Sequence, residues 1–105
     1  MRRKNLESLI NREYVLEVLK KHKKDFKEKY GVTAIGLFGS MARGNNNSSS
    51  DIDVIIKMSK PDLFYMVHIK EELEAEYKTK EDLIHYRDRM NPFLKKRIDR
   101  DAVYV

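Results

Sequence analysis

The sequence predicts an α/β chain: a small mixed β-sheet with helices packed mainly on one side. Two observations carry this. Segments 12–30, 61–77 and 92–100 repeat apolar residues at the three-to-four spacing of amphipathic helices. Between and after them lie short apolar runs of strand length, 33–38, 51–57, 80–84 and 102–105.

Composition bounds the class. The 105 residues make one domain, 1–105, with a single core. Charged residues reach 37% against 41% hydrophobic, which describes a soluble globular domain with a heavily charged surface. The net charge of +5 would suit nucleotides, nucleic acid or an acidic partner. Its basic residues are spread along the chain rather than gathered into a stripe with aromatics, so an ordinary solvated surface is expected and nucleic acid is not. No apolar run approaches a membrane span, and Met1-Arg2-Arg3-Lys4 is followed by polar residues rather than a signal peptide core. A cytoplasmic protein is expected. The lack of cysteine removes disulfides and thiolate metal sites.

Taken in order, residues 1–10 form an arm with Leu6, Leu9 and Ile10 at helical spacing. Asn11 caps a helix to Tyr30 that carries Val15, Leu19, His22, Phe26 and Tyr30 on one stripe, and Gly31 stops it. His22 reads as a packed histidine, since no second ligand is spaced with it. Thr33 to Phe38 is a strand buried on both faces that delivers Gly39 and Ser40. A short helical turn, Ser40 to Gly44, and a polar loop, Asn45 to Ser50, lead into a second strand, Asp51 to Lys57. So short a connection makes the two strands antiparallel.

Ser59 or Lys60 ahead of Pro61 starts the next helix, with Met66, Ile69, Leu73 and Tyr77 inward and Lys70 paired to Glu74. His68 reads as surface. Lys80 to Ile84 opens a third strand. Asn91-Pro92 then starts a helix to Arg100 with Leu94 and Ile98 inward and Lys95, Lys96, Arg97 and Arg100 on its basic side. Ala102 to Val105 is a short last strand.

Two stretches carry more than packing. In Asp51-Ile52-Asp53-Val54 the acids share one face of a strand while Ile52, Val54 and Ile56 share the other. Two carboxylates held so close repel unless a cation lies between them, and oxygen ligands suit a hard ion such as Mg²⁺. Upstream, a strand ending in Gly39-Ser40 and turning into a helix leaves backbone N–H groups for a phosphate. The glycine spacing differs from a Walker loop and no lysine follows. Together the stretches describe a site for a Mg²⁺-bound triphosphate. Arg43 has two readings, one beside the triphosphate or a partner and one bracing the loop through an ion pair.

At these residues the sequence resembles the DNA polymerase beta-like nucleotidyltransferases. Their signature is a hydrophobic residue, Gly, Gly or Ser, about ten residues, then acid-hydrophobic-acid-hydrophobic. Phe38-Gly39-Ser40, ten residues (41 to 50) and Asp51-Ile52-Asp53-Val54 fit it. The form Gly-Ser-Met-Ala-Arg-Gly, with Ser50 before Asp51, looks more narrowly like the minimal nucleotidyltransferases, the MNT antitoxin family of bacteria and archaea. The resemblance runs from about residue 30 to the C-terminus and implies a palm-like nucleotidyltransferase fold.

The resemblance implies a third carboxylate on the neighbouring strand, and Asp82 occupies the matching place. Glu81 stands where the family has a hydrophobic residue, so either the strand begins at Asp82 or that metal site is weakened. By the same resemblance Asp51, Asp53 and Asp82 are the metal-binding and catalytic acids, with two Mg²⁺ ions and ATP as substrate. Asp82 is also the candidate general base. Gly39, Ser40, Arg43 and Ser50 are the nucleotide-binding residues. The partner implied is a HEPN-domain toxin, whose tyrosine receives AMP, so that the chain acts as an antitoxin. Two other readings remain at this point. One is a non-catalytic antitoxin that masks its partner; the other is nucleotidyl transfer to a small molecule or RNA.

Overall fold

A computed structural model describes residues 11–44 and 52–105 of the chain. The arm 1–10, the loop 45–50 and Asp51 lie outside the described residues.

Helix α1 spans Arg12–Tyr30, β1 Val32–Phe38, β2 Ile52–Met58, α2 Leu63–Tyr77, β3 Glu81–His85, α3 Pro92–Asp101 and β4 Val103–Tyr104. The strands form one sheet in the order β3-β2-β1-β4. β1 pairs antiparallel with β2 and β4, whereas β2 and β3 run parallel because α2 returns the chain to the sheet's starting end. The sheet is therefore mixed, as the sequence implies.

α1 begins and ends where local chemistry dictates. The Asn11 side chain accepts the Tyr14 N–H at 2.9 Å, and Gly31, at φ +72°, donates its N–H to the Lys27 and Phe26 carbonyls. α2 starts later than the Pro61 signal suggests. Its cap is Asp62, whose carboxylate accepts the Tyr65 N–H at 3.1 Å, so neither Ser59 nor Lys60 caps it. An aspartate directly after the proline offers the better acceptor, and the helix forms behind it. Asn91 caps α3, accepting from Phe93 and Leu94, with Pro92 at the first helical position.

The two sheet faces are covered unequally. α1 and α2 pack on one, where Val15, Leu19, Phe26, Ile69 and Leu73 enclose Ile35, Leu37, Ile52, Val54 and Ile56. The strand residues between these point the other way. There Phe38 and Ile55 meet Ile98 of α3, flanked by Ile84 and Leu94. Helices thus lie mainly on one side, and the single α3 leaves the other face partly open beyond its small cluster. At about 25 cal/mol per Å², each of the large, fully buried aliphatics contributes roughly 1.5–3 kcal/mol. The larger layer dominates the stability.

Candidate active site

The site is built where β1 ends. Phe38 pairs with Asp53 across the β1–β2 ladder, so the next residue, Gly39, lies against the aspartate. A Cβ added at Gly39 would stand 2.4 Å from Asp53 Oδ2, and its φ of +83° is one that L side chains rarely adopt. Only glycine permits this approach.

The chain then turns over residues 40–44. The Arg43 N–H donates to the Gly39 carbonyl at 3.3 Å and the Gly44 N–H to the Met41 carbonyl at 3.1 Å. Met41 and Ala42 are buried in the main core, while Ser40 stays half-buried and Arg43 exposed. From α1, Arg12 Nε donates to the Ala42 carbonyl at 3.2 Å and pins the turn from behind. The sequence reading expects a helix whose dipole would favour phosphate. Through Gly44 there is one turn only, too short for an appreciable macrodipole, so phosphate charge here has to meet N–H groups and cations.

Asp53 and Asp82 come together as the spacing and resemblance suggest. The parallel β2–β3 register sets Asp53 beside Asp82, on strands about 4.8 Å apart. Both occupy the parity of Ile55 and Ile84, which face α3. Asp53 is half-buried and Asp82 exposed, giving neighbouring hard oxygen donors open to solvent. Asp51 and Ser50 lie outside the described residues. The donor set fits a hard divalent cation.

Glu81 resolves the irregularity before Asp82. The strand begins at Glu81 itself, and the alternation that sends Asp82 to the open face sends Glu81 inward, where it is 4% exposed. Its N–H donates to Glu74 Oε2 at 2.8 Å, so Glu74 holds the first residue of β3, and the Lys70–Glu74 ion pair expected from the helix spacing is not formed among the described residues. Among the described residues neither Glu81 carboxylate oxygen has a hydrogen-bond partner, and the nearby buried Tyr77 hydroxyl has none either. Burial first, then the Glu74 charge, pushes the Glu81 carboxyl up to about 9, while burial also raises Tyr77. Burial thus favours the protonated form of Glu81 at the position where the resemblance expects a hydrophobic residue.

Basic groups border the acids on the α3 side. Arg97 of α3 lies 5.9 Å from the Phe38 ring centroid, and Arg43 and Arg97 both act electrostatically on Asp101. Arg100 donates to both oxygens of Asp101 at 2.9 and 3.1 Å and holds its carboxyl below the ordinary range. Sequence reasoning places Arg97 only on a solvated helix side, and it passes over Arg12. Neither has a local signal, because both reach the site through packing of distant segments.

The histidines stand elsewhere. His22 stacks on Phe26 and lies 2.9 Å from Glu76 Oε1, and His68 stacks on Tyr30. His22, Asp25 and Glu72 present ligand atoms within 4.8 Å of one another, but Lys29 pairs with both acids at 3.2 Å. A lysine already supplies the positive charge there.

Comparison with known proteins agrees with this geometry. Residues 19–105 match the nucleotidyltransferase domain family. The chain belongs to this family. It is therefore a nucleotidyltransferase, and the fold resemblance read from residues 38–54 holds. A Methanocaldococcus jannaschii protein named "Putative protein adenylyltransferase" is 39% identical over 92 residues, covering 87% of this chain and 94% of its own. The "Protein adenylyltransferase MntA" of Thermococcus cleftensis is 31% identical over 99 residues, covering 93% and 99%. Among solved structures, that of a tri-AMPylated Shewanella oneidensis HEPN toxin in complex with MNT antitoxin aligns at TM-score 0.64 and 17% identity, covering 89% of this chain and 70% of that one. That likeness concerns the fold of the nucleotidyltransferase. No helix among the described residues is long and apolar enough to cross a membrane.

Proposed function

We propose that this nucleotidyltransferase moves AMP from ATP to a hydroxyl of a partner protein, a tyrosine of a HEPN-domain toxin, and thereby acts as its antitoxin. One observation carries the chemistry: Asp53 lies in register with Asp82 and directly against the Gly39 turn. Carboxylates for a cation and N–H donors for phosphate thus adjoin on one rigid sheet end. The adenylyltransferase names of the relatives and the AMPylated toxin in the aligned complex support the transferred group and the partner.

In this reading Asp51, Asp53 and Asp82 would hold Mg²⁺, two ions in all, which when bound would neutralise phosphate charge and acidify the acceptor hydroxyl. The chain's own residues bind and orient. N–H groups of the Gly39–Ser40 turn and the Ser40 hydroxyl donate to the triphosphate oxygens, with Arg43 on the same turn, and the family resemblance adds Ser50 to these nucleotide-binding residues. Asp82, the more exposed acid, takes the proton from the attacking hydroxyl. The hydroxyl oxygen forms a bond to the α-phosphorus as the bond to the β-phosphate oxygen breaks, and pyrophosphate leaves.

Incubation with α-labelled ATP, Mg²⁺ and a candidate HEPN partner tests this, beside Asp53→Asn and Asp82→Asn. Label on the partner that vanishes in both variants is expected. Partner binding without label would overturn the enzymatic reading. The masking antitoxin draws no specific support, since Glu81 does not displace Asp82 from its register.

A further inference from the structure

We propose that Arg97 of α3 is a triphosphate-binding residue, the counterpart across the site of the turn at Gly39; this rests on the nucleotide-dependent reading above. The placement comes from the ladder. Phe38 and Asp53 are cross-strand partners, and such side chains stand on one face with Cβ atoms about 5 Å apart. The Arg97 guanidinium lies 5.9 Å from the centroid of the Phe38 ring, on the sheet face that Phe38 shares with its partner Asp53. It is exposed.

Charge makes the same point. The turn after Gly39 lacks a following helix through Gly44, so backbone dipoles supply little of the positive potential that a triphosphate needs. Arg43 and Arg97 approach from the turn and from α3, close enough for both to act on Asp101. Both oxygens of Asp101 already accept from Arg100. Arg100 thereby neutralises the acid and leaves the other two guanidiniums for an anion. Arginine suits this task because its planar fork meets two phosphate oxygens at once, and the cation–π contact with Phe38 favours its place over the ring.

Arg97 thus takes the phosphate oxygens on the α3 side while the carboxylates of β2 and β3 face the cation. Calorimetric titration with a non-hydrolysable ATP analogue and Mg²⁺ tests this on the full chain, using Arg97→Ala, Arg97→Lys and Lys96→Ala. Lys96 is an exposed neighbour of equal charge on the same helix and controls for bulk potential. Loss of a charge-assisted hydrogen bond corresponds to about ten-fold or more in affinity. Arg97→Ala is expected to weaken binding about ten-fold more than Lys96→Ala, with Arg97→Lys between them. Titration with adenosine should show no such difference. Equal losses for Arg97→Ala and Lys96→Ala would overturn the assignment. If Asp53→Asn loses the analogue while Arg97→Ala keeps it, Arg97 alone is wrong. If the parent chain binds no nucleoside triphosphate, the nucleotide-dependent reading falls with it.

Discussion

Replacing Glu81 by leucine should stabilise the protein, and the gain should grow with pH. The carboxyl titrates at an ordinary 4.5 when unfolded and at about 9 in the fold, where burial and Glu74 raise it and Lys70 partly opposes them. Below 4.5 it is protonated in both states, and only the pH-independent cost of burying an unpaired carboxyl remains. Between 4.5 and about 9 the unfolded chain releases a proton that the folded chain keeps, so stability falls as pH rises. The slope is about 1.4 kcal/mol per pH unit, or roughly 4 kcal/mol by pH 7.5. Water admitted to the carboxyl reduces this, so Glu81→Leu is expected to gain about 2–4 kcal/mol more stability at pH 7.5 than near pH 4.5, where only the cost of the unpaired neutral carboxyl is removed. For a chain of this size that raises Tm by at least ~8 °C. Urea melts of parent, Glu81→Leu and Glu81→Gln from pH 4.5 to 8.5 provide the assay. Differences between variants cancel every titration that the variants share. The glutamine variant should lose the pH slope yet stay less stable than leucine, because its amide remains unpaired beside Tyr77. A parent as stable at pH 8 as at pH 5, or a leucine variant weaker at pH 7.5, would refute the burial of a protonated acid.

Three further outcomes concern the site. Gly39→Ala forces a Cβ into Asp53 Oδ2 at a φ of +83°, so a loss of about 1–3 kcal/mol in stability and of nearly all transfer is expected from melting and labelling assays. Arg12→Gln removes the donor to the Ala42 carbonyl without touching the substrate, and steady-state kinetics should show KM for ATP rising several-fold with kcat little changed. Chelation of divalent ions should abolish transfer yet shift Tm only slightly, since Asp53 and Asp82 sit at a solvent-facing sheet end outside the core; a collapse of Tm on chelation would make the metal structural.

Much of this was legible because it is local. Asn11 and Gly31 bracket α1 by capping chemistry that operates within four residues, and the period-two alternation of 51–57 separates acids from core without reference to the rest of the chain. Where two local signals competed, the sequence misled: Pro61 marks a helix start, but Asp62 directly after it captures the cap. The short helical turn read at 40–44 is present, closed by the Arg43 N–H on the Gly39 carbonyl, but the burial of Met41 and Ala42 in the main core carries no local signal. Glu81 read as a departure from the family pattern that either delays the strand to Asp82 or weakens the metal site; in the structure the strand starts at Glu81 and Asp82 keeps its place in the register. The burial of Glu81 follows from the parallel register with Ile52, which no local pattern encodes.

The sequence by itself determined the element order, the caps of α1 and α3 and the Gly39-Ser40 turn, all set by covalent geometry and short-range hydrogen bonding. Tertiary structure alone decided that Asp82 stands beside Asp53, that Glu81 is buried, and that Arg12 and Arg97 reach the site from opposite ends of the chain. These depend on strand register and on which face of the sheet each helix covers. Both are fixed by packing between residues tens of positions apart, where burial of the whole apolar surface outweighs any local preference.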